Sequence, residues 1–399
     1  MLFKLICYLL LLYVCLVVGY LVIVATAAYF FRKVIGKTTQ SMRLAVVIPA
    51  HNEEGQVSTV IKSILRSNYP NNLLTVLVIA DNCTDATAKR AAEAGAVVFS
   101  RQDDANRGKG QALDWFLREH VDRYQHAQGL VVIDADTIVD GDFFIHIAES
   151  LSVPEVKVVQ GFYKGSNSLD NWRTALNSAA WNVFNNLRLA GANQLGGTAI
   201  LKGNGMAFDT KIIRQYGWPA YSVVEDVEFS LMLLRDDVLV HFNPDAVVFG
   251  EMAGDRKQAE VQRQRWDGGR WLLFKRYVPA LIKDLLVRPR LSRLHALVDL
   301  VVPPLSLLVV MVLMVTVGVY LFVPLLVQVA WLLWLGLVYY VLSGQVTAKA
   351  PLKIWLYLFT APLFVIWKIL LYLRIVIGKK DVQGWQRTVR KSELSDKNK

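Results

Sequence analysis

The sequence predicts an α/β fold, in which a sheet carries helices on both faces and is flanked by transmembrane helices. Hydrophobic residues make up 54% of the 399 residues and the mean hydropathy is +0.34, which is too apolar for an ordinary soluble protein. Residues 44–134 alternate short β-branched runs with helical patterns. We therefore expect an N-terminal transmembrane anchor (1–32), a catalytic domain (44–255), interfacial amphipathic helices (256–295), two transmembrane helices (299–343), a third membrane segment (351–377) and a basic tail (378–399).

The N-terminal apolar run, residues 5–31, is long enough to cross a hydrocarbon core of roughly 30 Å. A secretory signal would have an apolar stretch of only about 7 to 15 residues and an A-x-A-like cleavage site, so we expect a retained anchor. Lys4 alone precedes the run, whereas Arg32, Lys33, Lys37 and Arg43 follow it. The positive-inside rule therefore predicts a bacterial-type inner-membrane protein whose catalytic domain is cytoplasmic.

The net charge is +11, and its basic residues concentrate in residues 256–293 and in the tail from residue 379. Such charge suits anionic membrane lipids or a diphosphate-bearing substrate. Because no recognition motif accompanies it, we predict no nucleic-acid partner. The cysteines, Cys7, Cys15 and Cys83, have no C-x-x-C spacing, so neither a zinc site nor a disulfide framework is expected.

Polar clusters follow three of the predicted strands. The strands are residues 44–49, 74–80, 96–100 and 130–134, and the clusters begin at His51, Asp81 and Asp134. In open α/β sheets ligands bind beyond the carboxyl ends of the strands, so these clusters should converge on one crevice.

Asp134 and Asp136 follow a buried apolar strand and are one residue apart. Two such carboxylates can bind a hard cation, Mg²⁺ or Mn²⁺, beside phosphate oxygens. The alternative is that the pair caps a turn or helix.

Two further residues suit nucleotide contacts. Asp81 can hydrogen-bond a base or sugar, although it can also cap the segment that starts near Asp85. Lys109 lies in a small-residue loop before a helix, where its ammonium and backbone suit phosphates. This loop lacks the spacing of an ATP-binding P-loop.

Glu225 and Asp226 precede an amphipathic helical pattern, residues 227–234. Acidic residues there can simply complement the helix dipole. Alternatively, Asp226 is a general base that takes the proton of an acceptor hydroxyl.

Gln262, Arg265 and Trp266 lie on one predicted helix, where separations of three and four residues share a face. Arginine can hold a diphosphate through two parallel hydrogen bonds, and an indole offers a plane for a sugar ring. The alternative is a basic interfacial helix with membrane-belt tryptophans, including Trp271.

The C-terminal apolar block, residues 299–343, predicts two spans joined by a tight turn near residues 322–324. The next segment, 351–377, carries Pro362, Lys368 and Arg374, and it either spans or lies at the interface. The basic tail favours the cytoplasmic side.

In this order, the motifs resemble those of membrane-embedded family 2 glycosyltransferases, a group that includes the cellulose, hyaluronan, chitin and poly-N-acetylglucosamine synthases and ceramide glucosyltransferase. The resemblance covers residues 44–273 by motif. It implies a GT-A type fold, a nucleotide-sugar donor that is usually UDP-linked, and an inverting single displacement. The matching residues are 46–54, Asp81, Asp134-Ala135-Asp136, Glu225-Asp226 and Gln262-Arg263-Gln264-Arg265-Trp266.

The resemblance also implies residue roles. Asp134 and Asp136 would hold the metal, Mg²⁺ or Mn²⁺, Asp226 would act on the acceptor hydroxyl, and Arg265 would stabilise the departing diphosphate. The expected donor-binding residues are Pro49, His51, Glu53, Asp81, Lys109 and Asp134. The expected acceptor and diphosphate residues are Gly203, Glu225, Gln262, Arg265 and Trp266.

The first predicted acceptor is a growing polysaccharide at the cytoplasmic membrane face. The alternative is single addition to a membrane lipid, because one N-terminal span replaces the usual two and no gating-loop signature follows Trp266. A transporter or non-catalytic subunit is disfavoured, since residues 300–343 contain no charged side chain. Nucleotidyl transfer would not need the Gln262-x-x-Arg265-Trp266 motif. No motif identifies an export or accessory subunit.

Overall fold

A computed structural model describes residues 2–36, 41–252, 256–363 and 365–366, with the backbone alone for residues 256–265. The chain divides into two compact units. We name the units after the predicted domains that they overlap. The described residues of Arg32–Asn167 and Thr198–Tyr277 form the catalytic unit, and those of Met1–Phe31, Ser168–Gly197 and the segment from Val278 onward form the membrane unit.

The helices are, in chain order, α1 Leu2–Ala28, α2 Val57–Leu65, α3 Thr87–Glu93, α4 Lys109–Glu119, α5 Phe143–Leu151, α6 Trp172–Asn182, α7 Arg188–Gln194, α8 Thr210–Tyr216, α9 Glu225–Arg235, α10 Arg256–Val287, α11 Leu291–Val301, α12 Leu305–Phe322, α13 Val327–Thr347 and α14 Leu352–Tyr357. The strands are β1 Leu44–Ala50, β2 Leu74–Asp81, β3 Val97–Arg101, β4 Gly129–Val132, β5 Thr137–Val139, β6 Val158–Gly165, β7 Met206–Asp209 and β8 Val240–Gly250.

The strands form one mixed sheet with the order β3-β2-β1-β4-β7-β6-β8-β5. The first four strands run parallel, with Leu44 beside Leu74 and Gly129. β7 then runs antiparallel to β4 and β6, and β5 runs antiparallel to β8. The predicted parallel alternation therefore describes the first half of the sheet. The second half, in which β6 and β8 pair in parallel and the other pairs are antiparallel, went unpredicted because a buried apolar run does not encode strand direction.

Both faces of the first strands are covered by helices. Val46 and Ile48 of β1 pack in one core cluster with Val57 of α2 and Phe143 of α5. α4 contacts β1 and β2 and contributes the buried Phe116. Each fully buried side chain of this size stabilises the fold by roughly 1.5–3 kcal/mol, so the strand ends rest on a rigid core.

The membrane unit contains three helices that are long and apolar enough to cross a membrane. They are α1, α12 and a helix over Pro324–Thr347 that includes α13. The break between the last two falls at Val323, as the sequence predicted. A shorter apolar helix covers Leu352–Leu363. The rest of the predicted 351–377 segment and the basic tail lie outside the described residues, so their placement stays a prediction.

The membrane unit also includes Ser168–Gly197, which the sequence had placed within the catalytic domain. α6 and α7 are joined there by a π-helical turn, Val183–Leu187. The N–H of Val183 bonds to the carbonyl of Ala180, and the side chain of Gln345 on α13 donates to the carbonyl of Ala179 at 3.0 Å. Gln345 is fully buried, and its side-chain carbonyl accepts a hydrogen bond from the side-chain amide of Asn182 at 2.9 Å. Polar groups in apolar surroundings need hydrogen-bond partners. These bonds therefore hold the segment against α13.

Candidate active site

The carboxyl ends of β1 and β2 meet, as the sequence predicted. His51, directly after β1, donates from Nδ1 to the carbonyl of Asp81 at 2.7 Å. Asn52 and Asn82 both adopt positive φ, 55° and 49°. Asparagine tolerates this left-handed conformation better than most residues, so the chain can turn sharply after each strand.

Asp81 forms a buried ion pair with Arg101. Arg101 Nη1 lies 2.6 Å from Asp81 Oδ1, and each residue is only 6% exposed. The two residues are neighbours in the β2–β3 register, and Arg101 also donates to Asp103 at 2.8 Å. The Asp81 carboxylate is therefore fixed in orientation. We name His51, Asp81 and Arg101 the strand-end cluster.

Two other predicted donor residues lie beside this cluster. Pro49 belongs to β1 and pairs with Ile79 of β2. Glu53 is 8% exposed, and its backbone N–H donates to Thr87 Oγ1 at 2.8 Å. The structure thus gathers residues from β1 and β2 at one edge of the sheet.

Lys109 is the first residue of α4 and joins segments that are far apart in sequence. Its Nζ lies 2.5 Å from Asp134 Oδ1 and also donates to the carbonyl of Gly203. Burial alone would lower the pKa of Lys109, but the charges of Asp134, Glu225 and Asp226 raise it. The side chain therefore stays an ammonium ion with three carboxylates near it. We name Lys109, Asp134, Glu225 and Asp226 the carboxylate cluster.

Gly203 brings the acceptor-side loop close to Asp226. Its φ is +79°, and a Cβ built there would lie 3.3 Å from Asp226 Oδ2 and 3.9 Å from Lys109 Nζ. A residue other than glycine would be strained in backbone and would intrude between these charges. The absent side chain leaves room beside the carboxylate.

Asn204 anchors this loop to the sheet and is fully buried. Its side chain accepts from the N–H of Asp134 at 3.2 Å and donates to Thr137 Oγ1 at 2.7 Å. Its carbonyl accepts from the buried Gln160 at 2.9 Å. These bonds hold Gly203 in place relative to the end of β4.

Glu225 and Asp226 begin α9, and burial raises the pKa of both carboxyls. The pKa of Glu225 rises to about 7 through burial and the neighbouring charge of Asp226, and Lys109 opposes the rise. A carboxylate whose pKa approaches the working pH is a more effective proton acceptor than an ordinary one. This arrangement suits general-base chemistry better than simple helix capping.

The donor set fits a hard divalent cation. Asp134 and Asp136 supply carboxylate oxygens, and both side chains are half-buried. Within the described residues, no group of three or more His, Cys, Asp or Glu side chains could enclose a metal. Mg²⁺ commonly binds through one or two carboxylates together with substrate phosphates, so two aspartates suffice when a diphosphate supplies the other oxygens.

The Gln262-x-x-Arg265-Trp266 segment lies on α10 and is helical, as predicted. Trp266 is 38% exposed. The side chains of Gln262 and Arg265 lie outside the described part of the chain, so their roles stay predictions.

Sequence reasoning missed several residues that support the site. Nothing in the sequence pointed to Arg101 except its position at the end of the third strand. No motif or pattern indicated a supporting role for Gln160. Glu228, two residues after Asp226, was assigned to an amphipathic pattern although it is 2% exposed.

A model of the family described as "Glycosyltransferase like family 2" matches residues 42–269, more than half of the chain. The chain belongs to glycosyltransferase family 2. It is therefore a glycosyltransferase, and its three long apolar helices mark a membrane-associated member of the family.

Two curated relatives have names that refer to lipids. The beta-monoglucosyldiacylglycerol synthase of Nostoc sp. is 26% identical over 252 residues, covering 60% of this chain and 52% of the relative. The 4,4'-diaponeurosporenoate glycosyltransferase of Staphylococcus aureus is 31% identical over 166 residues, covering 38% of this chain and 41% of the relative. The chain thus matches about half the length of these relatives.

Among solved structures, a mannosyltransferase from Pyrobaculum calidifontis, solved in complex with GDP-Man and Mn²⁺, shares the fold. The TM-score is 0.56 at 16% identity, covering 87% of this chain and 99% of the other. The GT-A type α/β fold that the resemblance implied is confirmed.

Proposed function

We propose that this enzyme transfers a single sugar from a nucleotide-sugar donor to a lipid acceptor at a membrane surface. The observation that carries the proposal is the position of Asp226, whose carboxylate lies beside Gly203 and near Lys109. Asp226 would be the base, the loop at Gly203 leaves room for an acceptor, and Lys109 is a cation that suits phosphate. These three lie close together.

The residues divide the reaction between them. The strand-end cluster, with Pro49 and Glu53, would hold the nucleoside, and Lys109 would contact the donor phosphates. Asp226 would take the proton of the acceptor hydroxyl as the sugar–phosphate bond breaks, and Glu225 would tune that base. Gln262 and Arg265 on α10 would stabilise the departing diphosphate, and Trp266 would support the acceptor.

Asp134 and Asp136 would hold Mg²⁺ or Mn²⁺ together with the donor diphosphate. The metal, when bound, neutralises negative charge that grows on the leaving group. The Mn²⁺ in the Pyrobaculum complex supports this use of metal.

Lipid acceptors are supported by the two relatives, whose names refer to a glucosylated diacylglycerol and to diaponeurosporenoate. The apolar helices of the membrane unit would keep the enzyme beside such acceptors. The basic residues that follow α1 support a cytoplasmic position for the catalytic unit at an inner-type membrane.

The deciding experiment uses the full chain in nanodiscs with Mg²⁺ or Mn²⁺, separate UDP- and GDP-linked sugars, and diacylglycerol or other hydroxyl-bearing lipids as acceptors. We expect one discrete glycolipid product by mass spectrometry, lost on chelation. Recovery of only free sugar and nucleotide, with every donor and acceptor, would contradict the proposal.

A growing polysaccharide is the second candidate acceptor, supported by the motif resemblance to the synthases. Product sizing separates the two, because a polymerase yields a ladder of lengths and a single-addition enzyme yields one species. The donor is predicted as UDP-linked, and the Pyrobaculum complex contains a GDP-linked sugar, so both nucleotides belong in the assay.

A further inference from the structure

Glu228 on α9 is a buried carboxylate that the roles proposed above do not use. It is 2% exposed, and it accepts three hydrogen bonds of 2.8–3.1 Å. Oε1 accepts from Arg276 Nη1 at 2.8 Å and from Tyr277 Oη at 3.1 Å. Oε2 accepts from the backbone N–H of Ser222 at 3.1 Å. One carboxylate therefore binds α10 and the loop before α9 at the same time.

Breaking this arrangement is costly because the carboxylate is buried. Hydrogen bonds to a charged group are stronger than those between neutral groups, and a buried charge that loses its donors is penalised further. The Arg276 side chain is 63% exposed, so solvent weakens its share, whereas Tyr277 is 7% exposed. Burial and the charge of Glu228 raise the pKa of Tyr277 to about 12, which keeps its hydroxyl a donor.

A second contact joins α10 to the same segment. A Cβ built on Gly269 would lie 2.8 Å from Val223 Cγ2 and 2.9 Å from Val224 Cγ1. These distances are shorter than real Cβ contacts, so only a hydrogen atom fits where the backbone of α10 meets the side chains of Val223 and Val224. Gly269 is buried, and it precedes Arg276 by seven residues, which is about two helical turns.

The spacing of these contacts relates them to the reaction. Arg265 and Trp266 precede Gly269 by four and three residues, which is about one turn of α10. Asp226 follows Val224 by two residues and precedes Glu228 by two. The contacts therefore lie on both sides of Asp226 in the sequence. They hold α10, which carries the Gln262-x-x-Arg265-Trp266 motif, beside the start of α9.

We propose that Glu228 is a positioning residue that locks α10 against α9 and so keeps Gln262-x-x-Arg265-Trp266 in register with Glu225 and Asp226. This inference rests on the proposed function for its effect on transfer. The contacts themselves are independent of the donor and the acceptor.

The kinetic test compares Glu228→Gln with wild-type protein in nanodiscs. The amide keeps the size but replaces one acceptor with a donor, which faces either α10 or the N–H of Ser222. We expect kcat to fall about 10–100-fold, since misplacement by about 1 Å can cost about 10²-fold, while the donor KM changes less than about threefold. Glu93→Gln, on exposed α3, is the matched control and should leave both constants unchanged.

Two milder variants keep the test decisive if Glu228→Gln folds poorly. Tyr277→Phe removes one donor and should lower kcat by roughly 3–10-fold. Gly269→Ala should lower kcat as well, because the added methyl group forces α10 away from Val223. Gly268→Ala makes the same change at the adjacent half-buried position and should be neutral by comparison.

Hydrogen–deuterium exchange provides a readout that needs no activity. In Glu228→Gln, residues 266–277 should exchange faster while β1 to β3 keep their protection. Unchanged exchange in residues 266–277, an increase spread equally over the catalytic unit, or a wild-type kcat would each overturn the inference. If wild-type protein transfers no sugar from any donor, the proposed function fails, and the exchange pattern still decides the role of Glu228.

Discussion

The strand-end cluster and the carboxylate cluster differ in how their charges are balanced. Asp81 is matched by Arg101 at 2.6 Å, with both side chains buried. In the carboxylate cluster, one ammonium ion, Lys109, faces three carboxylates, and the carboxyl pKa values of Glu225 and Asp226 are raised. Arg101 thus pairs directly with Asp81 and with Asp103, whereas Lys109 and Lys202 only partly offset the burial that raises the pKa of Asp226.

This difference indicates which cluster changes during the reaction. A buried, directly paired carboxylate is rigid and suits recognition of a group that does not react. Buried carboxyls whose pKa values are raised gain stabilisation from a further cation and from further hydrogen-bond donors. We therefore expect variants of the strand-end cluster to change donor binding and variants of the carboxylate cluster to change turnover.

The largest expected effect is at Asp226. Asp226→Asn removes the proposed base, so turnover should fall about 10²–10⁴-fold while the donor dissociation constant stays within about threefold. Steady-state transfer and calorimetric donor titration measure the two quantities. Asp209→Asn, which alters another carboxylate at a helix start, is the matched control. Near-normal turnover in Asp226→Asn would show that another group is the base.

The next largest effect is expected at Lys109. Lys109→Met leaves Asp134, Glu225 and Asp226 without their cation, so kcat/KM should fall about 10²–10³-fold. Because Lys109 opposes the rise in the pKa of Asp226, the proposed base, and of Glu225, the acid limb of the pH–rate profile should also move to higher pH. Lys62→Met on the exposed face of α2 is the control. A loss of activity with an unmoved acid limb would contradict the electrostatic role of Lys109.

Asp81→Asn tests the role of the strand-end cluster in donor binding. Loss of one charged hydrogen bond should raise the donor KM by about 10–100-fold with kcat largely kept, and it should lower the Tm because Arg101 loses its buried partner. Titration with free nucleotide and a thermal melt measure both effects. A fall in kcat at unchanged KM would mean that the two clusters do not divide the work in this way.

The smallest effect is expected from Glu225→Gln. In wild-type protein without donor, folding raises the pKa of Glu225 from its usual value of 4.5 to about 7. The free-energy cost of burying the charged carboxylate is therefore fully present above pH 7, and it is relieved as the pH falls towards 4.5. The variant should therefore have the higher Tm above pH 7, and the difference should shrink on acidification. Turnover at pH 8 should change less than about tenfold. A pH-independent difference in Tm would refute the shifted pKa.

The motif-bearing segments were predictable because their signals are local. The apolar runs of α1, α12 and α13 depend on composition alone, and β1 to β4 were recognisable from short buried runs followed by polar residues. The convergence of Asp81 and Asp134 on one edge followed from the general geometry of parallel strands.

Other features depended on partners that sequence patterns do not specify. Residues 168–197 belong to the membrane unit, where Gln345 of α13 exchanges hydrogen bonds with Ala179 and Asn182 of α6, although α6 itself is only mildly amphipathic. The antiparallel return of β7 was equally hidden, because a four-residue buried strand can pair in either direction.

The sequence by itself determined the family, the order of the chemical groups and the segments apolar enough to span a bilayer, since each is encoded in neighbouring residues. Only the tertiary structure decided that Lys109 bonds to both Asp134 and Gly203, 25 and 94 residues away. It also decided that Glu228 accepts hydrogen bonds from Arg276 and Tyr277. The physical reason is that charge balance and burial arise from packing between distant segments. Periodicity reveals which face of an element is apolar, but it does not reveal which element covers that face.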